Sequence, residues 1–174
     1  MKYISQFIAV AAICLSFNRC SSSQKIVGNK TGDLAPDISA SDTNGDIIKL
    51  SSLRGKVVLL EFWESQNTQS RKNHDEIERL YEKYRKTNFQ NGNGLDVFSF
   101  SIDAQRDKWV SAIQQDKITW PHHVCDFKSW NSKAAIDYQL ATTPKYYLID
   151  GNGVIIKRNI LIPDLESILT EYIR

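Results

Sequence analysis

The chain has 174 residues, 41% hydrophobic and 24% charged, enough for one domain with a full core and a short extension. Its formal charge of +2 comes from the extreme N-terminus: Lys2 and Arg19 are the only charges in residues 1–19, and the remainder carries 20 basic against 20 acidic residues. A neutral body lacks the basic face that displaces counterions from phosphates, which speaks against a nucleic-acid binder.

In chain order, residues 1–19 read as a signal peptide. Lys2 supplies the positive start and "FIAVAAICLSF" an apolar core of signal-peptide length, about half of what a spanning helix needs. Cys20 then opens the small polar run "CSSSQK", which resembles a bacterial lipoprotein signal whose cysteine carries the lipid, although Arg19 stands where such signals carry small residues. Lipidation at Cys20 implies a membrane anchor and a periplasmic or outer-membrane-associated protein; secretion without lipid is the alternative. Cys14 leaves with the signal, so Cys125 remains as a single thiol without an internal partner. Residues 20–32 read as a flexible tether and residues 33–174 as the folded domain.

The domain opens with two extended runs around Thr43-Asn44-Gly45-Asp46, an Asn-Gly hairpin signal. "KVVLLEFW" is apolar on both parities from Val57 to Trp63 apart from Glu61, as a strand covered on both faces would be. A helix follows from Asn67 to Arg85, with Ile77, Leu80, Tyr81 and Tyr84 forming one apolar stripe. "NGNG" (91–94) breaks the chain and "LDVFSFSID" makes the next strand. Asp103 is a candidate cap for a helix carrying Trp109, Val110 and Ile113. A loop through Trp120-Pro121 leads to a helix over 131–138. "PKYYLID", a turn at 150–153 and "VIIKRN" make a terminal hairpin, and Pro163 starts a last helix. The order β-β-β-α-β-α-α-β-β-α specifies an α/β domain with a mixed sheet.

Read with its residues, that order resembles the thioredoxin superfamily, in its TlpA/ResA-type, AhpC/TSA-like branch. The motifs "LSSLRGKVVLLEFW", "SRK…IERLYEKYR", "FSFSID…KWVSAIQQD", "TWPHHVCDFKSWNS" and "YQLATTPKYYLIDGNGVII" all occur in the expected order. The resemblance implies a thioredoxin-like fold, a central mixed sheet flanked by helices, with an N-terminal hairpin extension. It also implies a Trp-Cys-x-x-Cys motif where strand meets helix, with the first cysteine at the helix N-terminus. Here Gln66 replaces the tryptophan, Asn67 the attacking cysteine, Thr68-Gln69 the middle pair and Ser70 the resolving cysteine. An amide has no nucleophilic sulfur and a serine hydroxyl cannot be oxidised to a disulfide, so dithiol exchange has no atoms to run on at these positions.

The resemblance also implies a cis-proline at Thr143-Pro144, facing the active loop, where the preceding main chain pairs with an extended substrate. Trp63, Gln66, Thr68, Thr143, Pro144 and Tyr146 are therefore the expected lining of a groove for a peptide or protein partner; a purely structural turn is the alternative. The rival functional reading is a thiol-disulfide oxidoreductase, or an antioxidant of peroxiredoxin type, working through Cys125 alone. Ser70 and His74, at i and i+4, have the spacing of a hydroxyl and its base, but no third group accompanies them: Asp75 points about 100° away around the helix, and a solvent-exposed His74 is the simpler expectation. "HHVC" (122–125) offers His122, Cys125 and either His123 or Asp126 as metal ligands, yet lacks a second ligand pair, so neither metal nor cofactor is expected. Family members keep a buried acid near the dithiol; Glu61, without a dithiol, has no evident task. Trp109, Trp120 and Trp130 read as core or groove walls.

Overall fold

The computed structural model describes residues 25–174; residues 1–19, read as a signal peptide, and Cys14 and Cys20 lie outside the described residues. Nine strands and four helices follow the order β1 (Ser39–Ser41), β2 (Ile47–Lys49), β3 (Val57–Trp63), α1 (Thr68–Tyr84), β4 (Asn88–Phe89), β5 (Gly92–Asn93), β6 (Leu95–Ser101), α2 (Arg106–Gln115), β7 (His122–Cys125), α3 (Lys133–Asp137), β8 (Lys145–Ile149), β9 (Ile155–Arg158) and α4 (Leu165–Thr170). Seven strands form one sheet in the order β2-β1-β7-β6-β3-β8-β9, parallel through β7, β6 and β3 and antiparallel elsewhere. This is the thioredoxin-like mixed sheet expected from the motifs.

Strand β3 lies inside the sheet and every one of its residues is buried. Because side chains alternate along a strand, Val58, Leu60 and Phe62 face a core shared with Tyr138, Tyr147 and Ile155, while Val57 and Leu59 face α1 and α4 through Ile77, Leu80, Leu165 and Leu169. Trp63 continues the second face and meets Trp109 and Ala112 of α2. Thus α1, α2 and α4 cover one side of the sheet. The apolar runs read as strand are apolar on both parities for this reason.

The expected hairpin forms at β1–β2, with Gly45 at φ +95°, a conformation that suits a residue without Cβ. Three expectations need correction. The region around "HHVC" is not loop but strand β7, parallel to β6, a run too short and too rich in histidine to announce itself. "NGNG" is not a simple break: it contains β5, which pairs with β4 just before it in a small hairpin. Residues 26–32 are not tether, because the segment 26–34 folds onto the domain: Gly28 N–H donates to Leu34 O at 3.0 Å, Gly32 N–H to Ile155 O at 2.8 Å, and Asn29 Nδ2 to Tyr138 O at 3.0 Å. Among the described residues no helix is long and apolar enough to cross a membrane.

Candidate functional site

The site is the junction where β3 hands over to α1. Asn67 caps α1 in extended geometry, its Oδ1 accepting from Ser70 N–H at 3.0 Å. The turn before it is held by Asp103, whose carboxylate accepts from Ser65 N–H at 3.0 Å and from Ser65 Oγ at 2.7 Å. That is a correction for Asp103, expected as the cap of α2; Gln105 occupies the cap position there, without a side-chain bond. Arg71 ties the other side of the turn: one guanidinium nitrogen donates to Ser65 O at 3.3 Å, and the group forms a two-pronged pair with Asp116.

Opposite stands the Thr143–Pro144 bond, cis as the resemblance implies. Asn67 Nδ2 reaches across and donates to Thr143 O at 2.9 Å. Gln66 and Thr68 are exposed beside it, and Thr143 and Pro144 are half-buried. Of the expected groove residues, Gln66, Thr68, Thr143 and Pro144 flank this cross-loop bond. Next to it a cavity of about 300 Å³ opens between Gln69 and Asn73 of α1, Pro144, Tyr146 and the segment Ile160–Asp164, with Leu161 largely exposed on its rim. A second cavity, about 530 Å³ and lined by Asn88–Asn93, Gly151 and Arg174, lies away from the site. Trp63 is not a groove wall: it is fully buried and packs edge-on against His74 at 4.8 Å. Trp109 and Trp120 are core, and Trp130 is partly exposed.

Beneath the site lies a buried polar cluster that the sequence did not announce. Glu61, fully buried, accepts from Ser99 Oγ at 2.7 Å and from Tyr146 OH at 3.3 Å, and its Oε1 lies 3.4 Å from His74 Nε2, near enough to pair but not aligned as a hydrogen bond. His74 Nδ1 meets Asp116 Oδ2 at 2.8 Å. Exposure of His74, the simpler sequence expectation, is therefore overturned: 1% of the residue is accessible. Burial opposes its charge, and the Glu61 and Asp116 carboxylates outweigh that opposition, raising the imidazole above its ordinary value. Partial burial likewise opposes charge on Asp116, and Arg71 with His74 holds it below the usual carboxylate range. Glu61 now has a task, as the counter-charge of a buried imidazole.

The stripe Ile77–Leu80–Tyr84, continued backwards by three and seven residues, lands on His74 and Ser70; that periodicity is the signal that could have found their burial. Ser70 Oγ makes no hydrogen bond, and His74 turns to the two carboxylates instead, so the pair is not a hydroxyl and its base. On β7, His122 and Cys125 fall on opposite faces, and the described residues hold no group of three or more His, Cys, Asp or Glu placed for a metal ion. His123 is buried against Trp120, its rings stacked at 5.3 Å, and burial lowers it to about 4. Cys125 is fully buried, its sulfur near Asp103 O at 3.3 Å, and burial pushes the thiol up to about 11. A reactive thiol needs the reverse on both counts.

Against known proteins, the AhpC/TSA family model matches residues 31–158. The chain belongs to the AhpC/TSA family. Within it, this AhpC/TSA protein is of the TlpA/ResA type of the thioredoxin superfamily. It is 29% identical over 134 residues to the thioredoxin-like protein YneN of Bacillus subtilis, covering 76% of this chain and 73% of that one. It is 24% identical over 127 residues to the thiol-disulfide oxidoreductase ResA of Bacillus cereus, covering 73% and 68%. A solved thiol-disulfide oxidoreductase from Bacteroides fragilis superposes with a TM-score of 0.70 at 29% identity, over 82% of this chain and 98% of that one.

Proposed function

We propose that this family member has left dithiol chemistry and serves as a binding module, taking a peptide or protein segment in the gap between residues 66–70 and 142–145. The observation that carries the reading is the chemistry of the α1 N-terminus: an amide, Asn67, and a hydroxyl, Ser70, stand where the resemblance implies the exchange motif, and Asn67 serves as cap and cross-loop donor. Further support comes from rigidity. Asp103 and Arg71 pin the loop from two sides, which suits a preformed binding surface. The apolar cavity beside Pro144, with Leu161 exposed, supplies a place for a partner side chain. The buried sulfur of Cys125 weighs against the rival in which that thiol works alone. The reading includes an extracytoplasmic location, with Cys20 as a lipid anchor.

Reduction of insulin disulfides by dithiothreitol is the direct test. The full chain and its Cys125→Ser variant are both expected to leave the uncatalysed rate unchanged. Turnover that disappears in Cys125→Ser would return the protein to the oxidoreductases.

A further inference from the structure

Both ends of the Asn67 carboxamide are engaged. Oδ1 accepts from Ser70 N–H at 3.0 Å, while Nδ2 donates to Thr143 O at 2.9 Å and lies 3.4 Å from Thr143 Oγ1. A helix cap alone would be met as well by Asp, Ser or Thr. Of these residues, only asparagine offers an acceptor for the cap together with a separate N–H that reaches the opposite loop. The bond joins positions 76 residues apart and crosses the gap assigned above to the partner.

We propose that Asn67 is an intramolecular latch: its carboxamide occupies the Thr143 carbonyl and keeps the gap closed to main-chain pairing until a partner displaces it. This rests on the reading of the gap as a partner site and adds its regulation. The Thr143 carbonyl has two lone pairs and Asn67 Nδ2 takes one of them, so an incoming N–H must share the acceptor with the amide or displace it. The rest of the loop does not depend on the latch. Ser65 is bound to Asp103, and Arg71 to Ser65 O and Asp116, through contacts in which Asn67 takes no part. The latch can therefore open without unfolding the site. Its weight is the net worth of about one hydrogen bond, roughly five- to tenfold in partner affinity.

The test compares the full chain with Asn67→Ser, which keeps a cap acceptor and loses the amide donor, and with Asn67→Asp, which keeps the cap and sets a carboxylate against the carbonyl. The probe is a displayed library of random 12-residue peptides, selected separately on each protein, with affinities of the selected peptides measured by fluorescence anisotropy. Thermal unfolding identifies which variants are folded, and Asn67→Asp is read if Asn67→Ser is not. Binding roughly five- to tenfold tighter by the variants supports the latch. Equal or weaker binding overturns the latch and leaves the groove reading intact. Failure of every protein to select a peptide overturns both.

Discussion

Two rows of side chains cross the sheet beneath α1, two residues apart on β3, and they are built on opposite chemistry. In one, Leu59 pairs with Val97 of β6 and Leu148 of β8, under Ile77 and Leu80. In the other, Glu61 pairs with Ser99 and Tyr146, with His123 beyond on β7, under His74. Leu59 and Glu61 are both fully buried. The apolar row is held by burial, which has no direction and tolerates small displacements. The polar row is held by hydrogen bonds and opposed charges, which weaken steeply when a partner moves, so that end of α1 is positioned more narrowly. The site sits on the narrow end.

Breaking the polar row is expected to have the largest effect. His74→Ala leaves Glu61 buried without its counter-charge and should cost about 3–5 kcal/mol in urea unfolding. The double variant Glu61→Leu/His74→Leu should recover most of that loss, because well-packed apolar residues replace a buried pair at little cost. A double variant no more stable than His74→Ala would mean that the row is held by something other than this pair.

Leu59→Ala, in the apolar row, is next: it should lower stability by about 2–5 kcal/mol through lost burial and the cavity left behind. Amide exchange at Ser65 and Ser70 should change no more than global stability requires. A selective loss of protection there would dissolve the distinction between the rows.

The third expectation concerns pH and separates the two histidines. His74 is raised above its ordinary 6.5, so its contribution is fully present below 6.5 and is lost as pH rises through the folded value. His123 is lowered from 6.5 to about 4, so the unfolded chain takes the proton first, and stability falls by up to about 3 kcal/mol as pH drops through that window. The groups facing this cluster are Glu61 on β3, Asp116 after α2, Arg71 on α1 and Tyr146 on β8. Urea unfolding between pH 4 and 9 should peak near pH 6–7. His123→Phe should flatten the acid side and Glu61→Leu/His74→Leu the alkaline side. The same slopes in the variants would refute the assignment.

Ser99→Ala should have the smallest effect, about 1–2 kcal/mol, because it removes the Glu61 contact and the bond accepted from Trp120 Nε1 while leaving His74 in place. A cost equal to that of His74→Ala would shift the weight of the row from charge to hydrogen bonding.

Much of the fold was legible because its signals are local. The doubly apolar run Val57–Trp63, the stripe on α1, the Asn-Gly hairpin and Pro163 before α4 each depend on residues within one element, and each element formed there. Strand β7 was missed because four residues with two histidines carry no clear period. At the site, the start of α1 next to Asn67 followed from periodicity, and the facing cis Thr143–Pro144 from the resemblance. Trp63, His74 and Asp103 did not, because what each one faces is decided by elements distant in sequence.

From its sequence alone this protein has an amide at Asn67 and a hydroxyl at Ser70, and the absence of a sulfur at these two positions follows from residue identity wherever the chain goes. Only the tertiary structure joins Glu61 to His74, His74 to Asp116, Ser65 to Asp103 and Asn67 to Thr143, partners separated by 38–76 positions in the hydrogen-bonded pairs. The physical reason is that periodicity records which face of an element is buried, whereas the partner met there depends on how the helices and strands pack across the sheet.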